Sequence, residues 1–163
     1  IDRSLVGSEM CIRDRPLIEP WITSYGSDYE IHSILINVKS DNYSAWSETC
    51  ALELPTYSYE SANSIFFNIS EIFGPSLIKK NFETPYEVIN ELSLFKGNPF
   101  AKAGLDIAWW NLKSEITNTP LHILLGGSRD LVVAGADFGV EKDIDTLLEK
   151  INLAVENLSL IHI

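Results

Sequence analysis

The sequence predicts an α+β domain, an antiparallel β-meander followed by helices, and after it the first βα unit of a second architecture. Three observations carry this. Residues 29–52 hold two runs rich in β-branched residues about a turn at Ser40–Asn42. Residues 58–117 hold three runs with apolar residues at helical spacing. Beyond Asp130 one apolar run is followed by one amphipathic run, which is βα grammar.

Taken in order, residues 1–15 show neither a helical nor a strand period, and no element is expected there. Pro16 to Gly26 reads as a short extended piece running into a loop, because prolines at 16 and 20 forbid helix and bias their predecessors toward extended backbone. Tyr29 to Ser40 and Tyr43 to Leu52 form a hairpin. Ser58 is the expected cap of a first helix, with Ala62, Ile65, Phe66, Ile69, Ile72 and Phe73 on its buried face and Gly74-Pro75 as its end. Thr84-Pro85-Tyr86-Glu87 is a capping box with proline at the first helical position, so a second helix starts there with Val88, Ile89 and Leu92 facing the core.

The third helix organises the domain. Asn98 caps it and Pro99 occupies its first position. Leu105, Ala108, Trp109, Leu112 and Ile116 form one stripe, and Ile107 and Trp110 widen it. Small residues at 101, 103 and 104 allow another backbone to approach closely. Asn118-Thr119-Pro120 breaks the helix, and Leu121–Leu125 give one more turn, stopped by Gly126-Gly127. Val132 to Phe138 then reads as a buried strand. Asp143 to Asn157 reads as a helix with Leu147, Leu148, Ile151, Ala154 and Val155 inward.

Composition limits the partners. A formal net charge of −11 opposes binding to nucleic acid or an anionic membrane, both of which require a basic face. Hydrophobic content of 45% and a mean hydropathy of +0.04 fit a soluble globular chain. Two cysteines, Cys11 and Cys50, do not make a disulfide framework. No apolar run reaches the ~18 residues of a membrane span. The first residues lack the pattern of a signal peptide, and cytoplasm is the expected location.

Familiar catalytic motifs are missing: no H-E-x-x-H, paired C-x-x-C or G-x-S-x-G occurs. His32 in a strand pattern and His122 in a helical turn read as structural or surface residues. The carboxylates at 83, 87 and 91 read as a solvated helix face.

The pattern A-K-A-x-L-x-x-A-x-W at 101–110, followed by T-P-L-x-x-L-L-G-G-x-R-D at 119–130, resembles the end of the N-terminal capping domain of the enolase superfamily, mandelate racemase/muconate lactonising type. The approach F-K-G-N-P-F-A-K-A at 95–103 is most similar to the o-succinylbenzoate synthase and N-acylamino acid racemase subgroup. On this resemblance residues 16–130 are the capping domain and 131–157 the first βα unit of a (β/α) barrel, which needs about 250 residues. Residues 1–15 and 158–163 resemble translated adapter sequence and are expected to lie outside the fold, with the chain a truncated piece of a longer gene.

The resemblance implies an enzyme that uses Mg²⁺ and abstracts the proton α to a carboxylate of a small-molecule substrate, stabilising an enediolate. It implies lysine bases on the second and sixth barrel strands and acidic metal ligands on the third, fourth and fifth. All fall beyond Asn157, so no catalytic residue or metal ligand is assigned in this chain, and the chain alone is expected to be inactive and to expose apolar surface. A homo-oligomer is expected for the parent.

Substrate-binding positions carry over one by one. The first capping loop, PWITSYG, places Trp21 and Tyr25 around Thr23 and Ser24, where the aromatics suit an apolar pocket. The second, TCALELPTYS, matches pocket-lining positions at Leu52 and Tyr57. Glu48 in A-W-S-E matches the acid of the family's G-x-G-E element, with its glycines replaced by Ala45 and Ser47, and is read as a supporting carboxylate. In GADFGV, Asp137 stands where the subgroup often has serine. An Asp there would repel a substrate carboxylate and better suits a cationic or polyhydroxylated substrate. Asn111, where the family commonly shows Asp, sits on a structural helix. Dipeptide epimerase or acid-sugar dehydratase activity is the alternative within the superfamily. A non-catalytic interaction domain is the alternative outside it, opposed by the apolar βα unit it would leave uncovered.

Overall fold

A computed structural model describes residues 7–24, 26–129, 131 and 135–156. Three strands, β1 (Gly7–Thr23), β2 (Gly26–Ser40) and β3 (Tyr43–Ala51), form an antiparallel meander in the order β1-β2-β3. Helices follow: α1 (Ala62–Phe67), a π-helical turn (Asn68–Phe73) running into α2 (Gly74–Leu77), then α3 (Pro85–Ser93), α4 (Pro99–Thr117), α5 (Leu121–Leu124) and α6 (Ile144–Glu156). The expected order of strands first and helices after is therefore observed. Among the described residues no helix is long and apolar enough to cross a membrane.

The sheet begins earlier than the sequence pattern suggests. Gly7 to Arg15 pair with Lys39 to Ile31, so these residues belong to β1 and not to a segment outside the fold. Met10 and Ile12 pack against the core, a contribution hidden by the charged residues on either side of them, Glu9 and Arg13. The extended piece expected to run into a loop at 16–26 is strand as far as Thr23. Pairing shifts between Pro16 and Trp21, and Trp21, Ile22 and Thr23 then face Asp28, Ser27 and Gly26 as the tip of the β1–β2 hairpin. The prolines flank the irregular stretch, where a missing N–H breaks no regular ladder bond.

Ile34, Ile36, Val38 and Ala45 lie on the face that α4 covers, buried with Ala101, Leu105, Ala108, Trp109 and Leu112 of the helix. The close approach expected of the small residues is made at Gly104, where an added Cβ would stand 2.7 Å from Ile36 Cδ1 and 2.9 Å from Thr49 Cγ2. Ser47 Oγ donates to the Gly104 carbonyl at 2.8 Å and Thr49 Oγ1 to the Phe100 carbonyl at 2.9 Å, fixing the helix on the strand. Ile107, read as part of a widened apolar stripe, is 42% exposed.

The first helix departs from expectation at both ends. Ser61, not Ser58, caps α1 in a reciprocal box with Ser64, while Ser58 closes a local turn by accepting from Glu60 N–H at 3.2 Å. Gly74-Pro75 does not end the helix, which continues to Leu77. The π turn bonds Gly74 N–H back to the Ile69 carbonyl and lets a new α turn start, where proline's missing N–H is harmless. That wider turn keeps Ile65, Ile69, Phe73 and Leu77 buried on one face and leaves Ile72 exposed.

In α3, Val88 and Leu92 are buried and Ile89 is exposed. Glu87 is the box residue, accepting from Glu83 N–H at 2.7 Å and Thr84 N–H at 3.4 Å, and Glu91 pairs with Lys80 at 2.7 Å. Asn98 precedes α4 as expected but has left-handed backbone and no capping bond from its side chain. The cap comes from Glu60, whose carboxylate accepts from Phe100 N–H at 2.8 Å and Ala101 N–H at 3.0 Å. Gly126, with φ +81°, stops α5, as the reading of Gly126-Gly127 as a helix end requires.

Of the expected strand at 132–138, residues 132–134 lie outside the described residues and Gly135–Phe138 form no strand. A parallel strand needs laterally bonded neighbours, and none is present among the described residues. Helix α6 forms as expected, with Asp143 accepting from Thr146 N–H at 2.8 Å, but it buries no residue; Leu148 and Val155 are more than half exposed.

Candidate functional site

Two adjoining cavities share Glu19 and Trp21 as a common wall. The smaller, about 410 Å³, is walled by Trp21 from β1, Ile31 from β2, Leu52 and Tyr57 from the loop after β3, and Phe100 from the first turn of α4. The irregular stretch of β1 swings Leu17 and Glu19 into the same space. The larger, about 600 Å³, lies between the hairpin and residues 137–154, with Asp137, Glu141 and Lys150 among its lining. Val140 N–H donates to the Ile22 carbonyl at 2.9 Å and holds this segment against β1.

The structure therefore brings Trp21 together with Leu52 and Tyr57 in one cavity and with Asp137 in the other. Thr23 and Ser24 line neither: Thr23 Oγ1 donates to the Gly26 carbonyl at 3.3 Å and Ser24 is exposed in the turn. Tyr25 lies outside the described residues. Sequence reasoning did not name Phe100, which the pattern at 95–103 marked only as a helix start, nor the acidic residues Glu19, Asp28 and Glu30 that border the smaller cavity. The E-P-W triplet at 19–21 was the available signal for Glu19, since a carboxylate between two pattern breakers lies where a strand must bulge.

Lys150 Nζ sits 2.8 Å from Glu19 Oε2 and 2.9 Å from Glu141 Oε1. The hydrogen bond from Lys150 lowers the Glu19 carboxyl below its usual range, and the bonds to Glu19 and Glu141 raise the Lys150 ammonium. Asp106 in α4 has its Oδ1 buried without a hydrogen-bond partner, and burial raises its carboxyl.

Glu48 lines neither cavity itself and lies on the sheet face opposite α4, although its partner Cys50 lines the smaller one. Its carboxylate accepts from the Ser33 hydroxyl and, at 3.3 Å, from the Cys50 thiol, and these bonds, Ser33 first, hold it below the usual glutamate range. A depressed folded-state value means the contribution is present above the ordinary glutamate value and is lost as pH falls through the folded one. Glu48→Gln is therefore expected to be destabilising near neutral pH, by less than about 1 kcal/mol because the group is exposed. The gap from the unmodified chain should narrow as pH falls below the ordinary glutamate value of about 4.3 and vanish below the folded one. Thermal melts across that range check it, and a gap independent of pH would sink the assignment.

The implied Mg²⁺ can be tested against the side chains present. Among the described residues no group of three or more His, Cys, Asp or Glu is placed to hold a metal ion, so these residues do not fit the ion.

The family model for the mandelate racemase/muconate lactonizing enzyme N-terminal domain matches residues 8–126. The o-succinylbenzoate synthase of Geobacillus kaustophilus is 31% identical over 133 residues, which cover 81% of this chain and 36% of that protein. The N-succinylamino acid racemase of Thermus thermophilus is 26% identical, with 91% of this chain and 40% of that protein covered. Among solved structures, an enolase-superfamily member from Listeria innocua superposes with a TM-score of 0.88 at 24% identity, covering 94% of this chain and 42% of that one. The chain spans well under half the length of each relative.

Proposed function

This chain belongs to the mandelate racemase/muconate lactonizing enzyme family of the enolase superfamily through its N-terminal domain, and from that premise we propose that it is the substrate-closing cap of an o-succinylbenzoate synthase or N-acylamino acid racemase. The reaction of the whole protein is abstraction of the proton α to a carboxylate, giving an enediolate that then eliminates or is reprotonated. The base, and the ligands of the Mg²⁺ such a reaction uses, would come from residues beyond Asn157. No step is assigned through the metal here, because the side chains described do not provide for it. On its own the 163-residue chain is inactive.

The role left to these residues is binding and exclusion of water. One observation carries the reading: Trp21, Leu52, Tyr57 and Phe100 converge from three separate parts of the domain on one apolar cavity. Such a wall holds the non-reacting part of a substrate and keeps bulk water from a developing charge. Positioning of that kind is realised before the transition state as well as in it, so its loss is felt in binding first.

The test is made on the uninterrupted protein. Exchange of the α-proton of an N-succinylamino acid in D₂O, followed by NMR, and formation of o-succinylbenzoate report the two activities; absence of both removes the reading. Trp21→Ala is expected to raise KM by about tenfold or more, the size of one buried aromatic contact, with kcat changed by less than about threefold. A collapse of kcat with KM unchanged would place Trp21 in the chemistry and overturn its role as a wall.

A further inference from the structure

The tip of the β1–β2 hairpin is weakly joined to its own sheet. The ladder skips residues 17–20, and beyond them Trp21, Ile22 and Thr23 pair with Asp28, Ser27 and Gly26. Pro20 has no N–H to add, and Ile18 is fully exposed. Yet this tip carries Trp21, the wall common to both cavities, which is itself 44% exposed. The sheet alone does little to fix the indole ring.

The segment from Gly139 to Lys150 supplies what the sheet lacks. Val140 N–H bonds the Ile22 carbonyl, and Gly139 lies against the same backbone. A Cβ added to Gly139 would stand 3.2 Å from the Ile22 carbonyl oxygen and 3.9 Å from Trp21 Cε3, so the ring and its strand rest on bare peptide. Lys150 of α6 reaches the tip from the other side, bonding Glu19 two residues before Trp21 and also Glu141. The two carboxylates differ in kind. The Glu141 side chain is 16% exposed and that of Glu19 71%, so water competes little for the first bond and freely for the second. Lys150 therefore stays with Glu141 when Glu19 lets go.

We infer that Lys150 is a positioning residue: held by Glu141, it seats the hairpin tip through Glu19 and so sets where Trp21 closes on the substrate, with the backbone of Gly139 as the support of the ring. This rests on the proposed cap role and deepens it by naming the residues that position its wall. A bond that water can replace suits a segment that must open to admit substrate and release product.

The experiment uses the uninterrupted protein and the α-proton exchange of an N-succinylamino acid. Lys150→Met should raise KM about threefold with kcat changed by less than about 1.5-fold, the scale of one exposed ion pair felt in binding. Lys150→Arg keeps the charge and the reach and should restore KM. Gly139→Val pushes the tip away from its support and should raise KM about tenfold, the same scale as loss of the Trp21 ring. In a Trp21→Ala or Glu19→Gln background Lys150→Met should add nothing further. An effect that persists in those backgrounds, or that falls on kcat, means that Lys150 meets the substrate or serves only the fold, and overturns the inference. A KM unchanged by both Lys150→Met and Gly139→Val also overturns it. If the unmodified protein neither exchanges the α-proton nor forms o-succinylbenzoate, the cap reading fails separately, and the seating is judged without turnover. The readout is then the fluorine NMR signal of 5-fluorotryptophan at position 21, identified by its loss in Trp21→Phe. A signal moved toward that of the free amino acid in Lys150→Met and Gly139→Val, and returned in Lys150→Arg, upholds the inference. A signal identical in all of them ends it.

Discussion

Glu60→Ala is expected to lower the stability of the chain by about 3–5 kcal/mol, the largest effect of any single substitution outside the aliphatic core. Glu60 is 1% exposed, and its carboxylate accepts from the N–H groups of Phe100 and Ala101, the second and third residues of α4. Those groups have no carbonyl to bond within the helix, and the helix dipole places positive partial charge where the carboxylate lies. Truncation removes two charge-assisted bonds, each worth about 1.5–3 kcal/mol, and leaves two donors short of an acceptor. Glu60→Gln keeps one acceptor oxygen and should cost about half as much. Urea unfolding followed by circular dichroism measures both. Two variants equal to the unmodified chain within about 0.5 kcal/mol would show that water replaces the carboxylate and that Glu60 does not hold the start of α4.

Gly104→Val is expected to cost about 3 kcal/mol, and Gly104→Ala about 1 kcal/mol. A Cβ at this position meets Ile36 Cδ1 at 2.7 Å, which can rotate away, and Thr49 Cγ2 at 2.9 Å, which cannot easily do so. Thr49 is β-branched and its hydroxyl is engaged with the Phe100 carbonyl. Alanine recovers part of the clash through its better helix propensity. Valine adds two methyls and loses that gain. The same urea titrations decide it: a valine variant within about 1 kcal/mol of the unmodified chain would mean that α4 is not seated on β3 as described.

These two residues also mark what the sequence could and could not disclose. The start of α4 was legible because Asn98-Pro99 is a local signal. Its cap was not, because Glu60 is 40 positions away and nothing around it points to Phe100. Gly104 was legible as a point of close approach, though not as a contact with Ile36 and Thr49, since a small residue announces space and not its occupant. Ser58 and Ser61 both satisfy a capping pattern, and only the Ser64 hydroxyl, reaching back to Ser61 N–H, decides between them. The strand at 7–15 was missed because Met10 and Ile12 are set among Glu9, Arg13 and Asp14, and central pairing supplies what the pattern lacks. At the site, resemblance led to Trp21, Thr23, Ser24, Tyr25, Leu52, Tyr57 and Asp137; of these Trp21, Leu52, Tyr57 and Asp137 line the cavities, Thr23 and Ser24 line neither, and Tyr25 lies outside the described residues. The acids at 19, 28 and 30 carry no motif, and only the bulge and hairpin register bring them to one opening.

The bond between Lys150 and Glu19 joins positions 131 apart in sequence. With the backbone bond from Val140 to Ile22 it is a polar link, among the described residues, between the hairpin and the far wall of the larger cavity, while the smaller cavity is walled by apolar side chains, Leu52 and Phe100 among them. The two spaces therefore answer to different solvents. An exposed ion pair weakens as added salt shortens the range of its field to about 8 Å or less, whereas apolar contact does not. Ionic strength thus becomes a handle on the domain, loosening α6 from the hairpin while leaving the apolar walls beside it in place.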